Sequence, residues 1–454
     1  MRLASPGAAL CRLAFLMSVA TPVAFTYPLS SIGPEAKKLW LSMCVYAAER
    51  SGAAVVKIFQ WASSRPDLFG NEFCSTFRKL QDETTPHQFK HTEKLLEEAF
   101  GPDWKGLIEL TEDSPILGSG CIGQVYKAHM NSTPVALKIL HPNVQNGIEA
   151  DLDILYTIAK MMNISERIRY LNLPGMVDEF SGLLSDQLDL NNEAKNLLLF
   201  RENFDNDEDI YFPKLHLASK NAMVMEFIDA LSLRDFVEKH KHNKQLLDAM
   251  CDKGIRAICR MIFDHNLVHG DIHPGNILFK DDRMILLDCG IAKKFTRADH
   301  KLLTDVLAGF ITGDGASAGK ALIRDSENKT SIKPVNEDAF VDVLNEMCEQ
   351  AKRDRSFFDK IGNYVKKICD AASENKIMMN QGFVSIALTV RVMEGVAFAL
   401  NPEAKIIRIS NGIIMKVRAE EMLGVVNDKR FSREDLSVGY KAVSRRFPGG
   451  LPDK

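Results

Sequence analysis

The chain has 454 residues, 26% charged and 46% hydrophobic, with a formal net charge of −3. That balance excludes a disordered or low-complexity chain, and the mild negative charge argues against a nucleic-acid binder that works through phosphate contacts. A mean hydropathy of −0.11 excludes a polytopic membrane protein but leaves room for one span. Nine cysteines at scattered spacings make neither a disulfide framework nor a Cys-x-x-Cys zinc site.

Residues 1–34 stand apart. They carry Arg2 and Arg12 but no acidic residue before Glu35. An apolar run from Leu13 to Phe25 follows Arg12, and Pro22, Pro28 and Pro34 interrupt the uncharged stretch. A mitochondrial transit peptide, a secretory signal and a single membrane anchor all compete for this segment, beside a plain tail with no address.

Residues 35–105 predict helices. Trp40, Met43, Tyr46 and Ala47 recur at helical spacing, as do Val55, Val56, Phe59 and Ala62. Arg65-Pro66-Asp67 predicts a break, and a helix over His91–Phe100 should stop at Gly101-Pro102. Gly118, Gly120 and Gly123 then lead into Val125-Tyr126, and Val135–Leu140 reads as a strand. Residues 147–204 return to helix, broken at Leu173-Pro174-Gly175. The acidic run Glu202–Asp209 reads as a solvated loop. Ala222–Ile228 reads as a buried strand. Beyond residue 245 the pattern is helical, except for short apolar runs at Asn276–Phe279 and Met284–Leu287.

This order predicts an α+β chain, a small β-containing lobe followed by a larger helical one, and with the motifs of residues 269–290 and 118–138 a bilobal protein-kinase-like fold. A helical extension (35–105) precedes a small β-containing N-lobe with a helical insertion (106–230). A large helical C-lobe (231–425) and a tail (426–454) follow.

The sharpest chemical signal is His269-Gly270-Asp271-Ile272-His273-Pro274-Gly275-Asn276, followed by Asp288-Cys289-Gly290. An Asp, an Asn five residues on and an Asp-x-Gly after a hairpin form the constellation of kinase-like phosphotransferases. Phosphoryl transfer concentrates negative charge, so a divalent metal must bridge the phosphate oxygens. Hard oxygen ligands suit Mg²⁺, and Asn276 and Asp288 would supply them. Asp271 would orient the attacking hydroxyl or water. The plain alternative is that Asp271 and Asn276 only make turn hydrogen bonds.

The second signal is Gly118-Ser119-Gly120-Cys121-Ile122-Gly123. A dinucleotide fold would place a helix next; here strand residues follow, then Val135-Ala136-Leu137-Lys138. That is the kinase order, a flexible glycine loop over the phosphates and a strand lysine behind it. Glu193 is the candidate carboxylate partner of Lys138. Strand residues 223–227 would read adenine, with Met225 and Phe227 shaping the pocket.

These residues resemble the UbiB/AarF-domain-containing atypical kinase family, linked to coenzyme Q biosynthesis. Lys57-Ile58-Phe59-Gln60, with Arg65-Pro66-Asp67 beyond it, is similar to the family's Lys-x-Gly-Gln signature. Asp189–Ala194 resembles the segment around the family's helical glutamate, and Val392–Pro402 resembles its C-terminal helical motif. The glycine loop is most similar to that of a mitochondrial animal branch. The resemblance implies ATP and Mg²⁺ as cofactors and Lys57 and Gln60 on a helix covering the active site. A cover of that kind implies a lipid or quinone precursor as substrate, or simple ATP hydrolysis, rather than protein-kinase signalling. It also implies mitochondrial location with membrane association.

Three departures stand out: Phe59 where the family has glycine, Gln187 where it has glutamate, and a glycine loop where alanine is usual. Cys289 also replaces the phenylalanine of Asp-Phe-Gly. Cys121 and Cys289 near a nucleotide suit a reducing compartment. Two other functions stay open, a nucleotide-binding scaffold with little turnover and a small-molecule phosphotransferase of the aminoglycoside-kinase type.

Overall fold

The computed structural model describes residues 6–63, 71–77, 86–164, 173–270, 272–329, 336–353, 361–375, 377, 379, 394–404 and 406–422. Arg65-Pro66-Asp67, Asp271 and the 426–454 tail therefore lie outside the described residues. The chain forms two compact units. One is Met1–Asn191 with His216–Phe227; the other is Asn192–Leu215 with Ile228–Lys454.

The first unit opens with α1 (Pro6–Thr26) and α2 (Pro34–Ser51). Pro22 does not end α1, which continues through it. Arg12, Leu16, Val19, Val23 and Thr26 are its less exposed positions, spaced three and four apart, so they share one helical stripe. Arg12 binds the Asp151 carboxylate with two hydrogen bonds, of 2.6 and 2.7 Å, and also donates to the Ser51 carbonyl. The Trp40 indole N–H donates to the Val23 carbonyl at 2.8 Å. Leu10, Met17 and Phe25 stay exposed.

Next come α3 (Ala53–Ser63), α4 (Asn71–Phe77) and α5 (Phe89–Phe100). Helix α5 stops where predicted, because Gly101 adopts φ +85°, a left-handed conformation that favours glycine. A five-stranded sheet follows, in the order β1 (Ile116–Ser119), β2 (Gly123–Met130), β3 (Thr133–Leu140), β6 (Ala222–Glu226) and β5 (Leu215–Ala218). Alternation along the strands sorts their side chains. Tyr126, Ala128, Val135, Leu137, Ile139, Ala222 and Val224 form a core with Leu96, Trp104 and Ile108. Val125, Lys138, Met223 and Met225 take the other face.

The predicted helical insertion is α6 (Val144–Met162), α7 (Leu173–Gln187) and α8 (Leu190–Asn203). Leu173-Pro174-Gly175 starts α7 rather than merely breaking a helix; proline is tolerated in a first turn, where its missing N–H has no partner to lose.

From Asn192 the chain belongs to the second unit. The reason is visible on α8: Phe200 stacks on Phe212 with centroids 5.1 Å apart and lies 5.8 Å from the His269 ring. Residues 192–215 thus join the second unit ahead of the boundary expected at residue 230. This unit has α9 (Leu233–His240), α10 (Lys244–Cys259) and a five-residue π-helical turn, Arg260–Asp264. A four-stranded sheet runs β4 (Ile210–Tyr211), β10 (Arg283–Leu286), β9 (Ile277–Lys280), β7 (Leu231–Ser232). A short ladder pairs β8 (Val268–His269) with β11 (Ala292–Lys293). Five further helices follow: α11 (Arg297–Thr312), α12 (Gly315–Lys329), α13 (Glu337–Arg353), α14 (Ile361–Glu374) and α15 (Ile406–Met422). In the C-terminal motif Val396, Ala397 and Leu400 are buried.

The acidic run is not a purely solvated loop. The Asp207 side chain is 7% exposed and ion-paired with Arg260. It also accepts from the Asp209 and Ile210 backbone N–H groups at 2.8 and 2.9 Å. Burial alone would raise its pKa, but these donors and Arg260 together hold it below the usual range. Asp207 thus ties the start of β4 to the turn ahead of β8. Asp207→Asn should cost ~2 kcal/mol in urea unfolding at pH 7, since a charge-assisted bond contributes ~1.5–3 kcal/mol. This stability is present above the ordinary carboxylate pKa and is lost as pH falls through the lowered one, so the gap from wild type should close below ~3.9.

Candidate functional site

In the first unit β1 and β2 meet at the glycine loop, where Gly120 N–H donates to the Gly123 carbonyl at 2.9 Å. Gly123 is needed for close approach, because a Cβ there would overlap the Ile139 carbonyl oxygen. Gly118 has open space around it. Gly118, Ser119, Gly120, Cys121 and Gly123 therefore sit on one tight hairpin end.

That hairpin is not free. Cys121 is buried in a cluster with Cys44, Ala48, Val56 and Phe77, and Ile122 packs against it. Ile122 also packs on a second cluster built from Ala54, Ile148, Phe180, Leu184 and Leu188. Helix α3 contributes to both clusters, so it lies against the loop tip. Lys57 and Gln60, three residues apart, share the remaining face of α3. Phe59 turns to α4 and stacks on Phe77 with centroids 4.5 Å apart. Its ring is absorbed there, away from the stripe of Lys57 and Gln60. The expected mobility of a glycine-rich loop is thus replaced by burial of its tip.

Lys138 is half-buried at the centre of the sheet, opposite Val125 on β2 and Met223 on β6. Met225, opposite Ala136, shares its face. The Phe227 ring follows, with Lys127 Nζ 4.4 Å from its centroid. Sheet register thus gathers Lys138, Met225 and the glycine loop on one side.

Sequence reasoning missed two histidines here. The His141 backbone N–H donates to the Ile122 carbonyl at 2.7 Å, and its Nε2 lies 2.7 Å from the Gly120 carbonyl. His87 Nδ1 lies 2.7 Å from His141 Nδ1. Burial pushes the His87 pKa down to about 4, and the nearby His141 and His91 add to that. Burial also lowers His141, against the Gly120 carbonyl, which favours the charged ring. Neither residue belongs to a familiar motif, and only the fold brings them together.

In the second unit the β9–β10 hairpin sets the predicted metal ligands. Ile277 faces Leu286, and the pairing continues as the Leu287 N–H donates to the Asn276 carbonyl at 3.1 Å. Asp288 follows directly, so the two oxygen donors leave the same end of one ladder. Asp288 Oδ1 accepts from the Gly290 N–H at 2.8 Å. Gly270 N–H donates to the Ile291 carbonyl at 2.8 Å, which fixes the residue before Asp271 beside this segment. Asp271 itself lies outside the described residues.

Glu193 stands over Asp288-Cys289-Gly290, with Oε2 3.6 Å from where a Gly290 Cβ would sit. One turn on, the Asn196 side chain donates to the Cys289 carbonyl at 2.9 Å. Asn196 was not foreseen; it lies at i+3 from Glu193, on the same helical face. Asn276 and Asp288 are hard oxygen donors of the kind Mg²⁺ prefers. Among the described residues no cluster of three His, Cys, Asp or Glu side chains could hold a metal alone. The donor chemistry of the pair suits a hard divalent cation.

Residues 79–322, just over half of the chain, match the family model for the ABC1 atypical kinase-like domain. The chain belongs to the ABC1/UbiB atypical kinase family. A mitochondrial ABC1 family protein of Schizosaccharomyces pombe is 25% identical, over 91% of this chain and 72% of the relative. A protein of Actinobacillus pleuropneumoniae named as a probable protein kinase UbiB is 26% identical, over 79% of this chain and 67% of the relative. A Mycobacterium tuberculosis protein solved with erythromycin matches 80% of this chain and 92% of its own, at 18% identity and a TM-score of 0.49.

Two measurements check this geometry. Gly123→Ala should lower stability by ~1–3 kcal/mol, the usual cost of overpacking, whereas Gly118→Ala should stay within ~0.5 kcal/mol of wild type. The His87 pKa falls from 6.5 to about 4 on folding, so the fold favours the neutral ring. Its contribution is complete above 6.5 and is lost as pH falls through about 4. The melting temperature of His87→Gln should therefore fall less steeply than that of wild type across this window.

Proposed function

We propose that this protein is an ATP-dependent atypical kinase or ATPase that supports ubiquinone or related lipid metabolism in mitochondria. The observation that carries the reading is the Asn276–Asp288 pair, set by one hairpin and backed by Glu193 and Asn196. In this reading Asn276 and Asp288 would hold Mg²⁺, which would offset the negative charge of the phosphates. The glycine loop and Lys138 take the phosphates of ATP, and Met225 and Phe227 flank its base. Asp271 accepts the proton of the attacking hydroxyl or water.

Family membership and the mitochondrial and UbiB names of relatives support the location and the lipid link. Helix α3 on the loop tip favours a small or lipid acceptor over a protein chain. Residues Leu10–Ser31 are long and apolar enough to cross a membrane, by length and composition. The exposed Leu10, Met17 and Phe25 favour attachment to one. Phe59 and Gln187 favour a second reading, a nucleotide-binding scaffold with little turnover.

Mg-ATP should raise the melting temperature of wild type but not of Asp288→Asn. Equal shifts in both proteins would remove Asp288 from the metal site. ATP hydrolysis measured with added membranes separates enzyme from scaffold.

A further inference from the structure

The two missed histidines belong to a longer chain of polar groups that ends on the glycine loop. Gln124, Tyr126 and Thr92 are buried, at 0%, 2% and 0% exposure. Gln124 Nε2 donates to the Tyr126 hydroxyl. Tyr126 and Thr92 hydroxyls are 2.9 Å apart, and Thr92 Oγ1 is 2.9 Å from His87 Nε2. The His87 backbone N–H donates to Gln124 Oε1 at 2.9 Å, which fixes the orientation of that amide.

The proton positions then follow from one end. A carbonyl only accepts, so His141 Nε2 carries the proton given to Gly120. In a neutral ring His141 Nδ1 must accept, so His87 Nδ1 donates to it. His87 Nε2 then accepts from Thr92, Thr92 accepts from Tyr126, and Tyr126 accepts from Gln124. Each hydroxyl and ring nitrogen of the chain then has a partner, and the side-chain bonds from Gln124 Nε2 to Gly120 all point toward the loop. An extra proton on either ring would put a second N–H into this chain and reverse part of it. Burial, which lowers the pKa of both rings, keeps them neutral near pH 7. Among the described residues the His91 ring lies 6.4 Å from that of His87, and the Tyr126 hydroxyl joins the same chain through Thr92.

We propose that His141 is a positioning residue, supported by His87, which holds the Gly120–Gly123 loop in its nucleotide-binding form through Nε2–H to Gly120 and backbone N–H to Ile122. Fully satisfied buried networks specify one geometry, and this one ends on the backbone that would meet phosphate. Its role in binding rests on the nucleotide reading above; its geometry does not.

The test compares the full-length wild type, His141→Leu and His141→Gln. A glutamine amide can place an N–H near the position of Nε2; leucine cannot. Mg-ATP titration should show His141→Leu weaker by up to ~10-fold, the worth of one hydrogen bond. His141→Gln should recover most of that loss. Nitrogen-15 spectra of histidine-labelled wild type should show His141 protonated on Nε2 and His87 on Nδ1. Equal affinity of His141→Leu and wild type overturns the proposal alone. So does a glutamine variant no better than leucine, or a His141 ring protonated on Nδ1. A wild type that binds no Mg-ATP overturns the nucleotide reading and the positioning role together.

Discussion

Two apolar residues at the tip of a hairpin, Cys121 and Ile122, pack against α2, α3 and α4 from earlier in the chain and against α6 and α7 from later in it. That contact joins the hairpin tip to two clusters of the first unit. Full burial of an aliphatic side chain contributes ~1.5–3 kcal/mol, and the half-buried Ile122 gains part of that. Helix α3 reaches the tip because two of its faces are apolar, one toward α2 and α4, the other toward α6 and α7. The third face is left to Lys57 and Gln60. The signature residues of this segment are therefore placed by the packing of their neighbours.

The same logic governs the chemistry-bearing residues. Strand alternation divides the five-stranded sheet, so that Val135, Leu137 and Ile139 build the core while Lys138 and Met225 face the other way. Gly123 permits the contact between β2 and β3 that sets this register near the loop. In the second unit a hairpin of two four-residue strands performs the equivalent task for Asn276 and Asp288. Helix α8 adds Glu193 and Asn196 from one face.

Much of this was legible in the sequence. The order of glycine loop, strand lysine, His-Gly-Asp string and Asp-x-Gly predicted the fold class and the placement of Lys138 on a strand. These are local patterns whose spacing carries their meaning. What the sequence hid depends on tertiary contact. The α8 boundary, the His87–His141 pair and the Asn196 bond to Cys289 join residues dozens of positions apart. Asp207 looked like part of a solvated acidic run, because its partner Arg260 lies on a distant turn. Pro22 looked like an interruption, although α1 carries it within the helix. The three glycines suggested slack, yet at Gly123 glycine serves close packing.

The central claim is that the glycine loop is held in place before any ligand arrives. Amide hydrogen exchange of residues 118–124 in the full-length, nucleotide-free chain tests it most directly. The account predicts protection comparable to the paired interior of β2 and β3. Exchange as fast as that of the exposed turn at Asn131-Ser132 would contradict it.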